Sequence, residues 1–118
     1  MRVKFHPAHF PEDVARARPA GRTIATHARE QLERDGVNSG LLSPCEGDAR
    51  DTTDLAGLVK LYLPIPYGEW GLVLQGATDP DGLHLVTVAF GERHPDRRPS
   101  VYDVAHYRRH GHWPAAIR

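Results

Sequence analysis

The sequence predicts an α+β domain: a small antiparallel sheet with N-terminal helices and a C-terminal helix. Helical patterns lie towards the two ends of the chain, and strand-like segments follow one another in its second half. The length of 118 residues, 40% of them hydrophobic, suffices for one core and predicts a single domain over 1–118. The 11 Gly and 10 Pro residues predict short elements and turns rather than a bundle of long helices.

The N-terminal third is predicted to hold a short strand and one or two helices. Residues 2–6 alternate polar and apolar side chains, as a strand with one buried face does. Residues 12–18 are weakly helical, and Pro19-Ala20-Gly21 is expected to interrupt them. Residues 22–35 place apolar side chains at i, i+4 and i+8, which predicts a helix, and Gly36 is suited to end it.

The middle of the chain is predicted to be a long loop followed by a strand. Residues 37–54 are rich in Asn, Ser, Gly, Pro and Asp, and a loop of this length is unusual in a small domain. Either a short helix forms near Thr53–Leu58, or the segment has a functional role. Residues 58–63 are typical of a strand.

The clearest local pattern is a β-hairpin formed by residues 70–77 and 83–90. Between them, Pro80 presets a turn and Gly82 supplies a positive φ, so a loop of about three to five residues is expected over 78–82. Alternation would place three side chains of the first strand on one face: Trp70, Leu72 and Leu74. In the second strand it would separate Leu83, Leu85, Thr87 and Ala89 from His84, Val86, Val88 and Phe90.

The last predicted element is a helix over residues 101–110. A basic loop bounded by prolines, residues 91–99, precedes it. Ser100 is a favourable N-cap with Asp103 at the third helical position, a variant of the capping box. Gly111 is expected to end the helix.

The charge distribution excludes a protein that binds polyanions through its whole surface. The chain has 15 Lys and Arg against 15 Asp and Glu, so its formal net charge is zero. Residues 1–37 and 91–118 are net basic, whereas residues 38–90 are net acidic. Any contact with a polyanion is therefore expected at the two ends of the chain.

The sequence predicts a cytoplasmic protein that does not enter a membrane. Cys45 is the one cysteine, so an internal disulfide and an all-thiolate metal site are excluded, and a reducing compartment is expected. The N-terminus lacks an apolar stretch of signal-peptide length. No run of 18 apolar residues is present, so a transmembrane helix is not expected.

The basic C-terminal segment contains the candidate site. On the predicted helix, Tyr102, His106 and Arg109 share a face because three or four residues separate them. Arg93 and His94 lie just upstream. Histidine can transfer a proton near neutral pH, arginine can bind two oxygens of a phosphate, and RNA carries its own nucleophile, the 2′-hydroxyl. These residue types point to metal-independent cleavage of RNA.

We assign proton transfer to His106 and His94, phosphate binding to Arg93 and Arg97, and orientation to Tyr102. Contacts to RNA are predicted at a wider basic set: Arg97, Arg98, Arg109 and Lys60. This mechanism requires no cofactor and no metal ion. The alternative interpretation is that these side chains form an exposed, solvated surface.

Two other functions remain open from the residues alone. A non-enzymatic interaction or regulatory domain would pair an exposed strand edge with another chain. A histidine-rich metal-binding protein would use His106 and His110, whose helical spacing can place two imidazoles on one ion. His112 follows closely, and His6 or His9 would supply a further ligand.

Four segments are similar to those of a known family: Met1–Pro7, the turn Asp79–Gly82, Val86–Arg93 and Ser100–Arg108. The last is similar to a Val-Tyr-x-x-Ala-x-x-Arg pattern that follows a final strand. In these segments and in the order of its elements, the chain resembles the RelE/ParE superfamily of small bacterial toxins from toxin–antitoxin pairs.

The resemblance implies a small sheet packed on N-terminal helices. It implies cleavage of mRNA on the ribosome or, in the ParE branch, poisoning of gyrase, with an antitoxin peptide as the partner that blocks the site. It points to Arg93, His94, Tyr102 and His106 as site residues. The chain departs from the family in its zero net charge, since such toxins are usually clearly basic.

Overall fold

The computed structural model describes residues 2–17, 19–35, 42–45, 53–63 and 67–114. The elements within these residues confirm the α+β class. In chain order they are β1 (Arg2–Lys4), α1 (His9–Ala17), α2 (Pro19–Asp35), β2 (Leu42–Pro44), β3 (Val59–Tyr62), β4 (Trp70–Asp79), β5 (Gly82–Glu92) and α3 (Val101–His110).

The strands form one sheet in the order β1-β5-β4-β3-β2. Its pairs are antiparallel except that β1 runs parallel to β5, with Val3 opposite Leu85. The predicted antiparallel sheet is therefore wrong, because the sheet is mixed. The alternation of residues 2–6 indicates a strand, but it carries no information on the direction of a partner at the far end of the chain.

Helices cover both faces of the sheet. On one face α1 and α2 pack over a core that includes Phe10, Ile24, Leu32, Leu72 and Phe90. On the other face α3 packs over a second core that includes Val73, Ala89, Val101, Val104 and Ala105. The predicted shared face of Trp70, Leu72 and Leu74 is confirmed, since all three lie on the α1–α2 side.

A β-bulge changes which face each part of β5 presents. The register shifts between Val73 and Leu74, so that Val88 is an extra residue in β5. Leu85 and Phe90 consequently pack in the same core. The strict alternation predicted along residues 83–90 is wrong across this bulge, because the extra residue reverses the alternation beyond it.

The predicted loop over residues 37–54 contains β2, a strand too short to produce an alternating pattern. Its pairing with β3 is antiparallel, and residues 37–41 and 46–52 lie outside the described chain. The short helix considered at Thr53–Leu58 is not formed; a turn closes there, in which the Leu58 N–H donates to the Leu55 carbonyl.

The helical region divides at Pro19, as predicted: α1 ends at Ala17, and Pro19-Ala20-Gly21 forms the first turn of α2. Proline is tolerated in a first helical turn because the N–H that it lacks would have no partner there. A Cβ on Gly21 would lie 2.5 Å from the Ala17 Cβ and 3.5 Å from the Phe90 ring. Glycine at position 21 therefore permits the close approach of α1, α2 and β5. The predicted helix end at Gly36 lies outside the described residues.

The hairpin is confirmed, although its turn is tighter than predicted. Asp79 pairs with Gly82, which leaves Pro80 and Asp81 between the strands. The φ of Gly82 is 115°, a value that favours glycine.

The predicted ends of α3 are also confirmed. The Ser100 hydroxyl accepts from the Asp103 N–H, and the Asp103 carboxylate accepts from the Ser100 N–H at 2.8 Å. Gly111 ends the helix with a φ of 80°.

An ion pair joins the two helical layers across the edge of β5. Arg108 of α3 donates to both carboxylate oxygens of Asp13 of α1, at 2.7 and 2.8 Å. Asp13 also accepts from the Phe90 N–H, and Arg108 donates to the Val88 carbonyl. The pair thus satisfies main-chain groups of β5 beyond the end of β1, where the strand edge would otherwise be open.

Candidate nucleic-acid interface

Two cations and two phenols meet at the edge of the sheet where β3 and β5 end, on either side of β4 and near α3. They are Lys60, Tyr62, Arg93 and Tyr102, and we call this set the phenol–cation surface. Three of the four are residues that the sequence assigned to the site: Lys60, Arg93 and Tyr102. Tyr62, on the same face of β3 as Lys60, completes the set.

Arg93 is the centre of the phenol–cation surface. Its Nε donates to the Tyr102 hydroxyl at 3.2 Å, and its Nη1 donates to the Gly68 carbonyl at 3.1 Å. Its guanidinium carbon lies 3.8 Å from the centre of the Tyr62 ring, a cation–π contact. A guanidinium has more N–H donors than these bonds use, so the group is held in place and can still bind a ligand.

Glycine allows Arg93 to reach Tyr62. Gly71 is the partner of Tyr62 in the β3–β4 pair. A Cβ on Gly71 would lie 3.0 Å from the Cγ of Arg93 and 3.3 Å from the Leu61 carbonyl oxygen. The absence of a side chain at this position lets the arginine stem cross β4.

The two cations favour the ionised form of Tyr62. A hydrogen bond with Lys60 is the main cause that lowers the pKa of the Tyr62 hydroxyl, and the charge of Arg93 acts in the same direction against partial burial. The same hydrogen bond raises the pKa of Lys60. Tyr62 is 37% exposed, so part of this residue is open to a ligand.

The pKa of Tyr102 is shifted in the opposite direction to that of Tyr62. Burial raises the pKa of its hydroxyl, although the hydrogen bond and charge of Arg93 oppose this shift. Tyr102 accepts from Arg93 and stays protonated, so its own O–H is a donor. This side chain can therefore orient Arg93 and donate to an anion.

The two arginines of the preceding loop lie away from Arg93. Arg98 forms a two-pronged ion pair with the buried carboxylate of Asp103, at 2.6 and 2.9 Å. Arg97 lines a cleft of about 480 Å³ with Trp70 and Ser100, on the α1 side of the loop. Arg98 thus has a partner in the first turn of α3, and Arg97 lines a cleft that shares no residue with the phenol–cation surface.

The two histidines assigned to proton transfer do not join the phenol–cation surface. His94 is exposed, and no hydrogen bond or ring contact joins it to a residue of the described chain. His106 is 7% exposed, and its Nδ1 accepts from the Asp54 N–H at 2.9 Å. That bond requires Nδ1 to be deprotonated. It also links His106 to the turn that precedes β3.

Three imidazoles lie together at the end of α3. The ring of His106 is 4.5 Å from that of His110 and 5.3 Å from that of His112. The His110 Nε2 contacts the Asp54 carbonyl oxygen at 2.8 Å. Within the described part of the chain, no group of three or more His, Cys, Asp or Glu side chains is arranged to hold a metal ion.

Arg109 lies further along α3, beside the turn at Gly57, where a Cβ would be 3.8 Å from its Nη2. Burial raises the pKa of Cys45, while the charges of Lys60 and Arg109 oppose that shift. Arg109 is therefore close enough to extend the positive potential from Lys60 along the α3 side of the sheet.

Sequence reasoning did not assign a site role to Tyr62, which lies between the two cations. Its signal was the i, i+2 spacing to Lys60 on a strand, which places both side chains on one face. That spacing does not show that Arg93 crosses β4 to meet them.

No known family model, curated protein or solved structure matches this chain. No helix of the described residues is long and apolar enough to span a bilayer.

Proposed function

We propose that this chain is a toxin-like endoribonuclease that binds RNA at the phenol–cation surface and cleaves it without a metal ion. The observation that carries the proposal is the position of Arg93, held by Tyr102 and Gly68 and stacked on Tyr62. A fixed guanidinium beside an ammonium suits a phosphate, and an exposed ring suits an unstacked base.

The chemistry follows from the two phenol–cation pairs. Tyr62 in its ionised form takes the proton of the 2′-hydroxyl, whose oxygen attacks the adjacent phosphorus. Arg93 and the Tyr102 hydroxyl stabilise the negative charge that develops on the phosphate oxygens. The bond to the 5′-oxygen breaks, Lys60 protonates that oxygen, and the products are a 2′,3′-cyclic phosphate and a 5′-hydroxyl. The proton on Tyr62 then passes to Lys60, which restores both groups.

The test is cleavage of a labelled single-stranded RNA by the purified protein, with DNA of the same sequence as a substrate without a 2′-hydroxyl. We expect cleavage of RNA alone, and a loss of about 100-fold or more in Arg93→Gln and in Tyr62→Phe. Arg34→Gln is the matched control, because it removes one exposed positive charge from α2. His106→Ala tests the proton-transfer role predicted for that histidine.

Equal rates of RNA cleavage by Arg93→Gln and Arg34→Gln would show that the phenol–cation surface is not the site of cleavage. RNA binding without cleavage would contradict the proposed enzymatic activity and would indicate an RNA-binding domain instead. Inducible expression tests the toxin-like part: growth should stop with the native chain and continue with Arg93→Gln. A small antitoxin-like protein that copurifies should restore growth when it is coexpressed.

A further inference from the structure

A second cleft, of about 520 Å³, lies between the start of α1, the middle of β4 and β5, and the end of α3. It shares no lining residue with the phenol–cation surface. Its polar lining consists of His6, His9, Gln75, Thr87, Arg108 and Arg109. No Asp or Glu is among the described residues that line it, so its walls present donors and positive charge.

The His6 ring is held so that its Nε2 can donate a hydrogen bond. Its Nδ1 accepts from the main-chain N–H groups of Ala8 and His9, each at 3.1 Å. A neutral ring in this arrangement must carry its proton on Nε2. The His6 main-chain N–H donates to the Thr87 hydroxyl at 2.9 Å, which attaches the segment to β5.

His9 stacks on His6, with ring centres 3.9 Å apart. Burial is the main cause that lowers the pKa of His9, and the charge of Arg108 acts in the same direction. The carboxylates of Asp13 and Glu12, on α1 itself, oppose the shift. The lowered pKa favours the neutral form of His9, whereas an anion in the cleft would favour its protonation.

Arg109 supplies the charge that is open to a ligand. Arg108 is already committed to Asp13, whereas no ion pair joins Arg109 to another described residue. Arg109 is exposed on the last turn of α3, where Gly57 with a φ of 90° brings the turn before β3 alongside it.

We propose that this cleft is a second anion site that binds the phosphate group of a nucleotide, either free or within an RNA strand. Arg109 and the Nε2–H of His6 would contact the phosphate, and His9 would take up a proton when the phosphate binds. Gln75, in the cleft wall, offers an amide to the rest of the nucleotide. The inference does not depend on cleavage at the phenol–cation surface.

The first test measures binding of inorganic phosphate and of a nucleoside 5′-monophosphate by calorimetry with the intact protein. Arg109→Gln should weaken both by about tenfold, the effect of losing one charge-assisted hydrogen bond. Arg34→Gln should bind as the native chain does, and Arg93→Gln should retain the binding that Arg109→Gln weakens. Retained binding in Arg93→Gln distinguishes this site from the phenol–cation surface, whatever the result of the cleavage assay.

The second test follows the ring protons of the histidines by NMR during a pH titration with and without sulfate, whose charge is constant. The pKa of His9 should rise in sulfate and that of the exposed His94 should change less. An equal shift at both histidines would overturn the proposal, as would equal weakening by Arg109→Gln and Arg34→Gln.

The source of the phosphate follows from a comparison with an RNA oligonucleotide that carries 2′-O-methyl groups and so resists cleavage. Tighter binding of the oligonucleotide than of the mononucleotide, weakened by Arg109→Gln, assigns the cleft to an RNA strand. Equal binding of the two assigns it to a free nucleotide.

Discussion

At the scale of single residues, the phenol–cation surface depends on how firmly Arg93 is held. Its main-chain N–H donates to the Glu69 carbonyl at 2.7 Å, and its side chain is bound at both Nε and Nη1. The side chain of Arg93 is thus already ordered in the free protein, so ligand binding loses little further conformational entropy there. Arginine suits this role better than lysine because its planar fork can stack on Tyr62 and donate at the same time.

Gly71→Ala should displace Arg93 while the fold remains intact. The new Cβ would lie 3.0 Å from the Cγ of Arg93, and the arginine stem is the part of that contact that can move. We expect a loss of about 1–3 kcal/mol in the free energy of unfolding, as for other overpacked sites. RNA affinity should fall as it does in Arg93→Gln, measured by fluorescence anisotropy.

The matched control is Gly76→Ala, on the same strand. No atom lies within 4 Å of the position that its Cβ would occupy, so RNA affinity should be unchanged. Equal losses of affinity in the two alanine variants would show that Gly71 has no specific role in placing Arg93.

At the scale of elements, α3 holds its place through its first turn. Asp103 is 1% exposed, yet it accepts from Arg98 and from the Ser100 N–H. Burial alone would raise the pKa of this carboxyl, but those hydrogen bonds and the charge of Arg98 outweigh burial and lower it. Since Tyr102 is in the same turn, the cap also fixes the helix that presents Tyr102 to Arg93.

The stabilisation by Asp103 should be lost in acid. Because the folded-state pKa is below the unfolded value of about 3.9, the stabilisation is complete above about pH 4 and falls as the pH drops through the folded-state pKa. Asp103→Asn should be less stable than the native chain by about 1–3 kcal/mol at neutral pH. Urea denaturation at a series of pH values checks this.

The two proteins should converge in stability as the pH falls through the lowered folded-state pKa of Asp103, because the native carboxyl then also becomes neutral. A difference that stays constant down to strongly acid pH would contradict the assignment of the shift to Asp103.

At the scale of the whole molecule, the Asp13–Arg108 pair connects the two helical layers through β5. The side chains are 2% and 7% exposed, and between them they bind the Phe90 N–H and the Val88 carbonyl. A buried pair of this kind contributes little compared with apolar packing, but breaking it leaves the Asp13 carboxylate buried with only one contact to a positive charge, the longer one to Arg16, at 3.3 Å. The pair therefore fixes how α1 and α3 lie relative to β5.

Arg108→Met should cost about 3–5 kcal/mol in the free energy of unfolding, because the Asp13 carboxylate stays buried. The double variant Asp13→Asn with Arg108→Met should recover part of that loss, since the charge is gone and the amide oxygen can still accept from Phe90. Chemical denaturation of the single and double variants measures both effects.

The control is Arg109→Met, which removes an exposed arginine from the next position of α3. It should change the free energy of unfolding by less than about 0.5 kcal/mol. Similar losses in the two Met variants would mean that the buried pair has no special structural role.

Local patterns in the sequence predicted the elements whose signals lie within a few residues of one another. The Ser100–Asp103 cap, the Gly111 helix end and the β4–β5 hairpin are of this kind, because their hydrogen bonds join near neighbours in the chain. The pattern also placed Lys60, Arg93 and Tyr102 among the site candidates. It did so by residue chemistry, with no information on which of them meet.

Only the tertiary structure decided which candidates share a surface and how the strands pair. The parallel β1 and the Asp13–Arg108 pair join distant segments, and such contacts leave no periodic trace in the sequence. The bulge at Val88 leaves none either, because it breaks the strand period within the hairpin. Tertiary packing also set His106 against Asp54 and brought Arg93 over Gly71 to Tyr62. Residue type fixes what a side chain can do, whereas the packing of remote segments fixes which side chains can act together.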